Sequence, residues 1–171
     1  VVALEEIPES LQRYILFAED KRFFSHAGVD WRARFSALLQ NLRNLRAVRG
    51  ASTISEQVIK MLHPRPRTLW TRWIEGVEAY QLERRFSKGQ ILAFYFNQLP
   101  YSRNRRGVVQ AAREYFDRSL DTLSEGEMLA LTVLIRAPGR LDPANNSFGL
   151  KQAVGRLVKS LRSAGALDSS A

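Results

Sequence analysis

The chain has 171 residues, 45% of them hydrophobic, and 26 Lys and Arg against 17 Asp and Glu give a formal charge of +9. That is apolar material for one sizeable core, read as a single domain over residues 1–171, and the positive excess points to an anionic partner: nucleic acid, an anionic membrane surface or a phosphorylated substrate. The lack of cysteine excludes disulfides and thiolate metal sites, two histidines count against a His-built metal centre, and no apolar run nears the roughly 18–20 residues that span a bilayer.

Pro8-Glu9-Ser10 opens a first helix, with Leu11, Ile15 and Ala18 at helical spacing and the acidic pair Glu19-Asp20 near its C-terminal end. A second helix is expected from Asp30 to about Arg46, carrying Phe35, Leu38, Leu39, Leu42 and Leu45 with arginines opposite, and Gly50 closes that region. Ser52-Thr53-Ile54-Ser55-Glu56 then supplies a cap followed by an acid, starting a helix that Pro64 stops. From Leu69 to Phe86, Trp70, Trp73, Ile74, Val77 and Leu82 recur at helical spacing in what reads as the longest helix.

Ser87 to Gln90 is a capping box, and the run Ile91 to Leu99 is apolar enough to be buried on nearly all sides, the candidate central core helix. After a loop bearing Arg103, Arg105 and Arg106, helices are expected over Val108 to about Phe116, Met128 to Ile135 behind a Ser124 to Glu127 capping box, and about Leu150 to Leu161. The tail over 165–171 is expected to fray. Nothing alternates with period two for long, so the class is all-α.

A helix that buries its stripe and then presents an acid sets that acid at the edge of the core, where desolvation favours proton uptake; this makes Glu19 the first catalytic candidate. The plainer alternative for Glu19 and Asp20 is a solvated surface pair, and for His26 a turn residue bonded to backbone. Lys60 and Arg72 read equally well as solvated helix residues, and Glu75 as an i, i+3 ion partner of Arg72.

The stretches Glu19-Asp20-Lys21-Arg22-Phe23-Phe24-Ser25-His26-Ala27-Gly28 and Gly50-Ala51-Ser52-Thr53-Ile54-Ser55-Glu56-Gln57-Val58-Ile59-Lys60 come first in a longer series. Arg72-Trp73-Ile74-Glu75, Leu82-Glu83-Arg84-Arg85-Phe86-Ser87-Lys88 and Tyr95-Phe96-Asn97 follow, then Gly107-Val108, Leu123-Ser124 with Glu127, and Ala137-Pro138 with Asp142-Pro143. In this order they resemble family 51 of the glycosyltransferases, the peptidoglycan glycosyltransferase domain of class A penicillin-binding proteins and their monofunctional relatives.

The resemblance implies a lysozyme-like all-α domain that polymerises lipid II into glycan strands at the extracytoplasmic face of the bacterial inner membrane, with an anchor outside this chain. Carried over by position, Glu19 is the general base on the acceptor hydroxyl, and Glu75 the second carboxylate, at the donor pyrophosphate. Lys60 and Arg72 would neutralise the pyrophosphate, as would the backbone amides at the Ser52 helix start. Ser52, Thr53, Gln57 and Asn97 would bind substrate, and Asp20, Phe23 and His26 would shape the cleft. The implied partners are lipid II, the growing strand, an anionic membrane surface and other cell-wall synthesis proteins, with no nucleic acid. The one cofactor the resemblance leaves room for is a divalent cation, Mg or Mn, at the pyrophosphate.

This chain departs from the family's usual residues at Glu56 (Gln), Met61 (Asn), Thr71 (Arg), Arg72 (Lys), Ala93 (Glu) and Ser102 (Gly). Thr71 removes a cation and Glu56 adds an acid near an anion site, so both are expected to weaken donor binding, with Arg65, Arg67 or the 103–106 loop as compensating cations. Alternative readings are a degenerate domain that binds lipid II or anionic lipid without turnover, a lysozyme-like lytic enzyme, and a basic helical nucleic-acid binder, which leaves the acidic motifs unexplained. A Ser-x-x-Lys nucleophile and a Lys-Thr-Gly motif are missing, so no transpeptidase lies within these residues.

Overall fold

The computed structural model of the chain describes residues 1–44, 52–101 and 105–167. The side chains of Leu38 and Leu42, and the whole of Leu45, Gly50, Ser102 and Arg103, fall outside the described set. The described residues form eight α-helices: α1 Glu9–Glu19, α2 Trp31–Asn44, α3 Ile54–Leu62, α4 Leu69–Arg85, α5 Lys88–Gln98, α6 Val108–Phe116, α7 Glu125–Leu134 and α8 Pro143–Ser163. No strand forms among the described residues, so the chain is all-α as its periodicities require.

Side-chain caps fix most of these starts. Asp30 accepts the Ala33 N–H at 2.9 Å ahead of α2. Thr53 with Glu56 and Ser124 with Glu127 form reciprocal capping boxes on α3 and α7, and Thr68 caps α4. The last helix starts seven residues earlier than its apolar repeat suggests, because Asp142 caps it with Pro143 in the first turn. It breaks at Asn146 (φ −150°, ψ 63°), whose Oδ1 accepts the Gly149 N–H at 2.9 Å and restarts the helix just before Leu150. With 21 residues α8 outruns the 17 of α4, which the sequence made the longest.

The contacts divide into two compact units, residues 1–18 with 96–171, and residues 19–95. In the first unit Tyr14 of α1, Leu129 of α7 and Leu161 of α8 form a cluster that Phe17, Val154 and Val158 complete. The Tyr14 hydroxyl donates to the Glu125 carboxylate, and burial first, then that acid, push the phenol up to about 12. Ala166 and Leu167 also pack on this cluster, so the expected fraying does not begin at Gly165; 168–171 lie outside the described residues.

In the second unit α3 packs along α4 around Phe23, Ile54, Val58, Ile59 and Ala79. Here α4 reverses the polarity its sequence suggests. Its buried face is Thr71, Glu75, Gly76 and Ala79, while Trp70, Trp73, Val77 and Tyr80 are exposed. Phe35 and Leu39 of α2 are exposed too. The α5 run is buried as expected at Ile91, Leu92, Tyr95, Phe96 and Leu99, with Phe94 the exposed exception.

Candidate active site

The site is built around the N-terminus of α3, in the unit of residues 19–95. Gly28 sets the distance to α4: its φ is +78°, and a Cβ there would stand 2.5 Å from the Tyr80 backbone nitrogen, so only glycine lets α4 come this close. Thr53 holds α3 to the same turn, its hydroxyl donating to the Gly28 carbonyl at 2.5 Å while accepting the Glu56 N–H at 3.2 Å.

The amides at the α3 start, expected to take a substrate anion, already hold one from the protein. Asp20 Oδ2 accepts the Ile54 N–H at 3.0 Å, and Glu56 Oε2 accepts the Thr53 N–H at 2.9 Å. The unpaired donors and positive end of the helix dipole are thus offset by internal carboxylates. Asp20 in turn contacts His26 Nε2 at 3.0 Å, and His26 Nδ1 lies 3.9 Å from Glu83 Oε1. His26 is therefore seated between two carboxylates, not bonded to its turn backbone. Glu83 is also bound by the Ser55 hydroxyl and by Lys88 Nζ at 2.8 Å, and that ammonium lies 4.2 Å from the Phe23 ring centroid.

Glu19, the last residue of α1, is half-buried and accepts from Gln57 Nε2 at 3.1 Å; Gln57 Oε1 accepts from the Tyr95 hydroxyl at 3.1 Å. The Gln57 amide thus turns its nitrogen to Glu19 and its oxygen to the Tyr95 hydroxyl. One face of α3 and one residue of α5 thereby set the orientation of the Glu19 carboxylate.

One turn further along α3, Lys60 Nζ donates to Ser52 Oγ at 2.9 Å and lies 3.4 Å from Glu75 Oε2. Among the described residues Glu75, its side chain 7% exposed, takes Lys60 and not Arg72 as its ion partner. Arg72 points to solvent beside the buried Thr71, whose N–H donates to Thr68 Oγ1 at 3.0 Å. Arg65, one of the candidate compensating cations, is paired: both its terminal nitrogens hold Glu78 at 2.7 Å, and that fork keeps the Glu78 carboxyl below its ordinary value. Arg105 of the other unit is likewise paired, with Glu114. The acid that Glu56 adds near the α3 start is paired too, with Arg34.

The family model described as Transglycosylase matches residues 1–162. The chain belongs to this family. Among its relatives are penicillin-binding protein 1A of Rickettsia bellii, 36% identical over 88% of this chain, and penicillin-binding protein 4 of Bacillus subtilis, 31% identical over 98%. Penicillin-binding protein 1A of Streptococcus oralis is 35% identical over 81%. The chain spans 20% of the Rickettsia protein's length and 27% of the Bacillus protein's.

Burial sorts the transglycosylase motif residues into two groups. Glu19, Ser52, Gln57 and Lys60 are partly exposed and Arg72 exposed, which leaves them within reach of a ligand. Asp20, Phe23 and Thr53 are buried and the His26 side chain is 7% exposed, with Asp20 on His26 and the Ile54 N–H and Thr53 on the Gly28 carbonyl. Asn97 belongs to the other unit, where Oδ1 accepts the Val2 N–H at 2.9 Å and Nδ2 donates to the Val2 carbonyl at 2.8 Å. Sequence reasoning missed Tyr95, Glu83 and Arg34 as contributors: each lies far along the chain from its partner, and no local spacing signals such a pairing.

Proposed function

We propose that this transglycosylase domain polymerises lipid II into peptidoglycan glycan strands. The observation that carries the reading is Glu19 held by Gln57 and Tyr95 in the same unit as Lys60, Glu75 and Ser52, a basic and an acidic group pairing suited to a pyrophosphate leaving group. Glu19 takes the proton from the acceptor sugar hydroxyl as that oxygen attacks the donor's anomeric carbon. The bond from that carbon to the phosphate oxygen breaks, and polyprenyl pyrophosphate leaves with the electron pair. A base so placed contributes roughly a hundred- to ten-thousandfold in rate.

Lys60 and the exposed Arg72 stabilise the departing charge. Glu75 holds Lys60 in place, and its carboxylate is the protein group that would hold a divalent cation, Mg or Mn, at the donor. Such an ion would supply charge neutralisation at the leaving group.

The exposed aromatic face of α2 and α4, Trp31, Phe35, Trp70, Trp73 and Tyr80, supports contact with an anionic membrane surface, the aromatic rings at the headgroup level and the chain's net positive charge facing anionic lipid. No helix among the described residues is long and apolar enough to cross a membrane. Incubating the chain with fluorescent lipid II tests the polymerase reading: glycan polymer is expected, and purified sacculi should release no muropeptides. Lipid II binding without polymer would favour the degenerate binding domain, and muropeptide release the lytic enzyme.

A further inference from the structure

Arg34 stands outside every motif of the chain, yet three helices meet on its side chain. Rooted in α2, its guanidinium lies 5.3 Å from the Trp31 ring centroid. It passes α4 beside Gly76, where a Cβ would meet its two terminal nitrogens at ordinary contact distance, 3.6 Å and 3.7 Å. It ends on α3, where Nη2 donates to Glu56 Oε1. The Glu56 side chain is 2% exposed and that of Arg34 is 18%, so the pair is withdrawn from water. A carboxylate that deep is strongly unfavourable unless it is paired and fully hydrogen-bonded. The second oxygen of Glu56 meets that condition on the other side, accepting the Thr53 N–H at 2.9 Å.

We propose that Arg34 is a positioning residue of the donor site, acting through Glu56. The pair lets an acid cap α3 one turn ahead of Lys60 while adding no net negative charge where the donor's phosphates bind. Without Arg34 the buried Glu56 carboxylate loses its counter-charge, and its bare negative charge one turn ahead of Lys60 opposes the phosphates and weakens donor binding. Glu56→Gln removes the charge and keeps an oxygen that can accept from Thr53. It should therefore rescue the loss of Arg34. This rests on the pyrophosphate-donor reading given above.

The test compares Arg34→Gln, Arg34→Lys, Glu56→Gln and the double variant Arg34→Gln with Glu56→Gln. Thermal unfolding, KM and kcat for lipid II, and direct binding of a short-chain polyprenyl pyrophosphate are read for each. Arg34→Gln should raise KM about tenfold with a much smaller change in kcat, lower the unfolding midpoint and weaken pyrophosphate binding in parallel. Arg34→Lys, which keeps the charge but replaces the planar guanidinium with a compact ammonium, should fall between it and the wild type. The double variant should return KM, unfolding midpoint and pyrophosphate binding close to wild type.

A double variant no better than Arg34→Gln, or an Arg34→Gln variant with unaltered KM and unfolding, overturns the proposal. If Arg34→Gln does not fold, folding of the double variant supports it; failure of both to fold means Arg34 serves packing and not charge balance, and the proposal falls. If the wild type binds the pyrophosphate but forms no polymer, the polymerase reading fails while the binding comparison still decides the role of Arg34.

Discussion

The second unit depends on a few residues whose chemistry allows no substitute. Asp30 caps α2 and also holds Arg22 through its Nε at 2.9 Å. Burial alone would push the Asp30 carboxyl up, but the hydrogen bonds from Arg22 and the Ala33 N–H hold it below its ordinary value. Its folded pKa thus lies under the unfolded value of about 4, so the pair stabilises the fold above that pH and the contribution fades as acid protonates the carboxyl. Urea unfolding at pH 7 and near pH 3 should show that Asp30→Asn costs about 1 kcal/mol at neutral pH and little in acid. An equal cost at both values would mean that the charge is irrelevant. At this scale the sequence was legible where a residue acts with its neighbours, as Thr53 does with Glu56 in a capping box. Asp20 and His26 were visible as residues but not in role, because their burial against Ile54 and Glu83 depends on how α3 and α4 close over them.

Helix positions follow directly from local caps and stop signals, which is why α3, α6 and α7 begin and end close to where spacing sets them. Facing direction does not follow in the same way. A stripe of Trp70, Trp73, Val77 and Tyr80 reads as core under the usual rule that apolar faces are buried. In α4 the opposite face is inward because Gly28 admits the Ala79–Tyr80 backbone and Glu75 is brought to Lys60. Only the packing reveals that choice. The exposed stripe predicts that Trp70→Ser together with Trp73→Ser changes unfolding stability by no more than about 1 kcal/mol, since surface substitutions rarely matter to folding. The same variant should partition less onto vesicles containing anionic lipid. Undiminished vesicle binding would remove this face from the membrane contact.

Across the whole molecule, the order of motifs along the chain identified the transglycosylase family, and the match over residues 1–162 bears it out. Net charge narrowed the partner only to an anion. The +9 balance predicts tighter binding to anionic than to neutral vesicles, weakening with salt because exposed charges are screened over roughly 8 Å at physiological ionic strength. Equal binding to the two vesicle types would contradict it. The central claim is that Glu19, oriented by Gln57 and Tyr95, is the base that activates the acceptor. The most direct measurement is the lipid II turnover of Glu19→Gln beside its lipid II affinity and thermal unfolding. The account predicts a fall of at least about a hundredfold in kcat with fold and affinity retained. More than about a tenth of wild-type turnover would show that the base lies elsewhere.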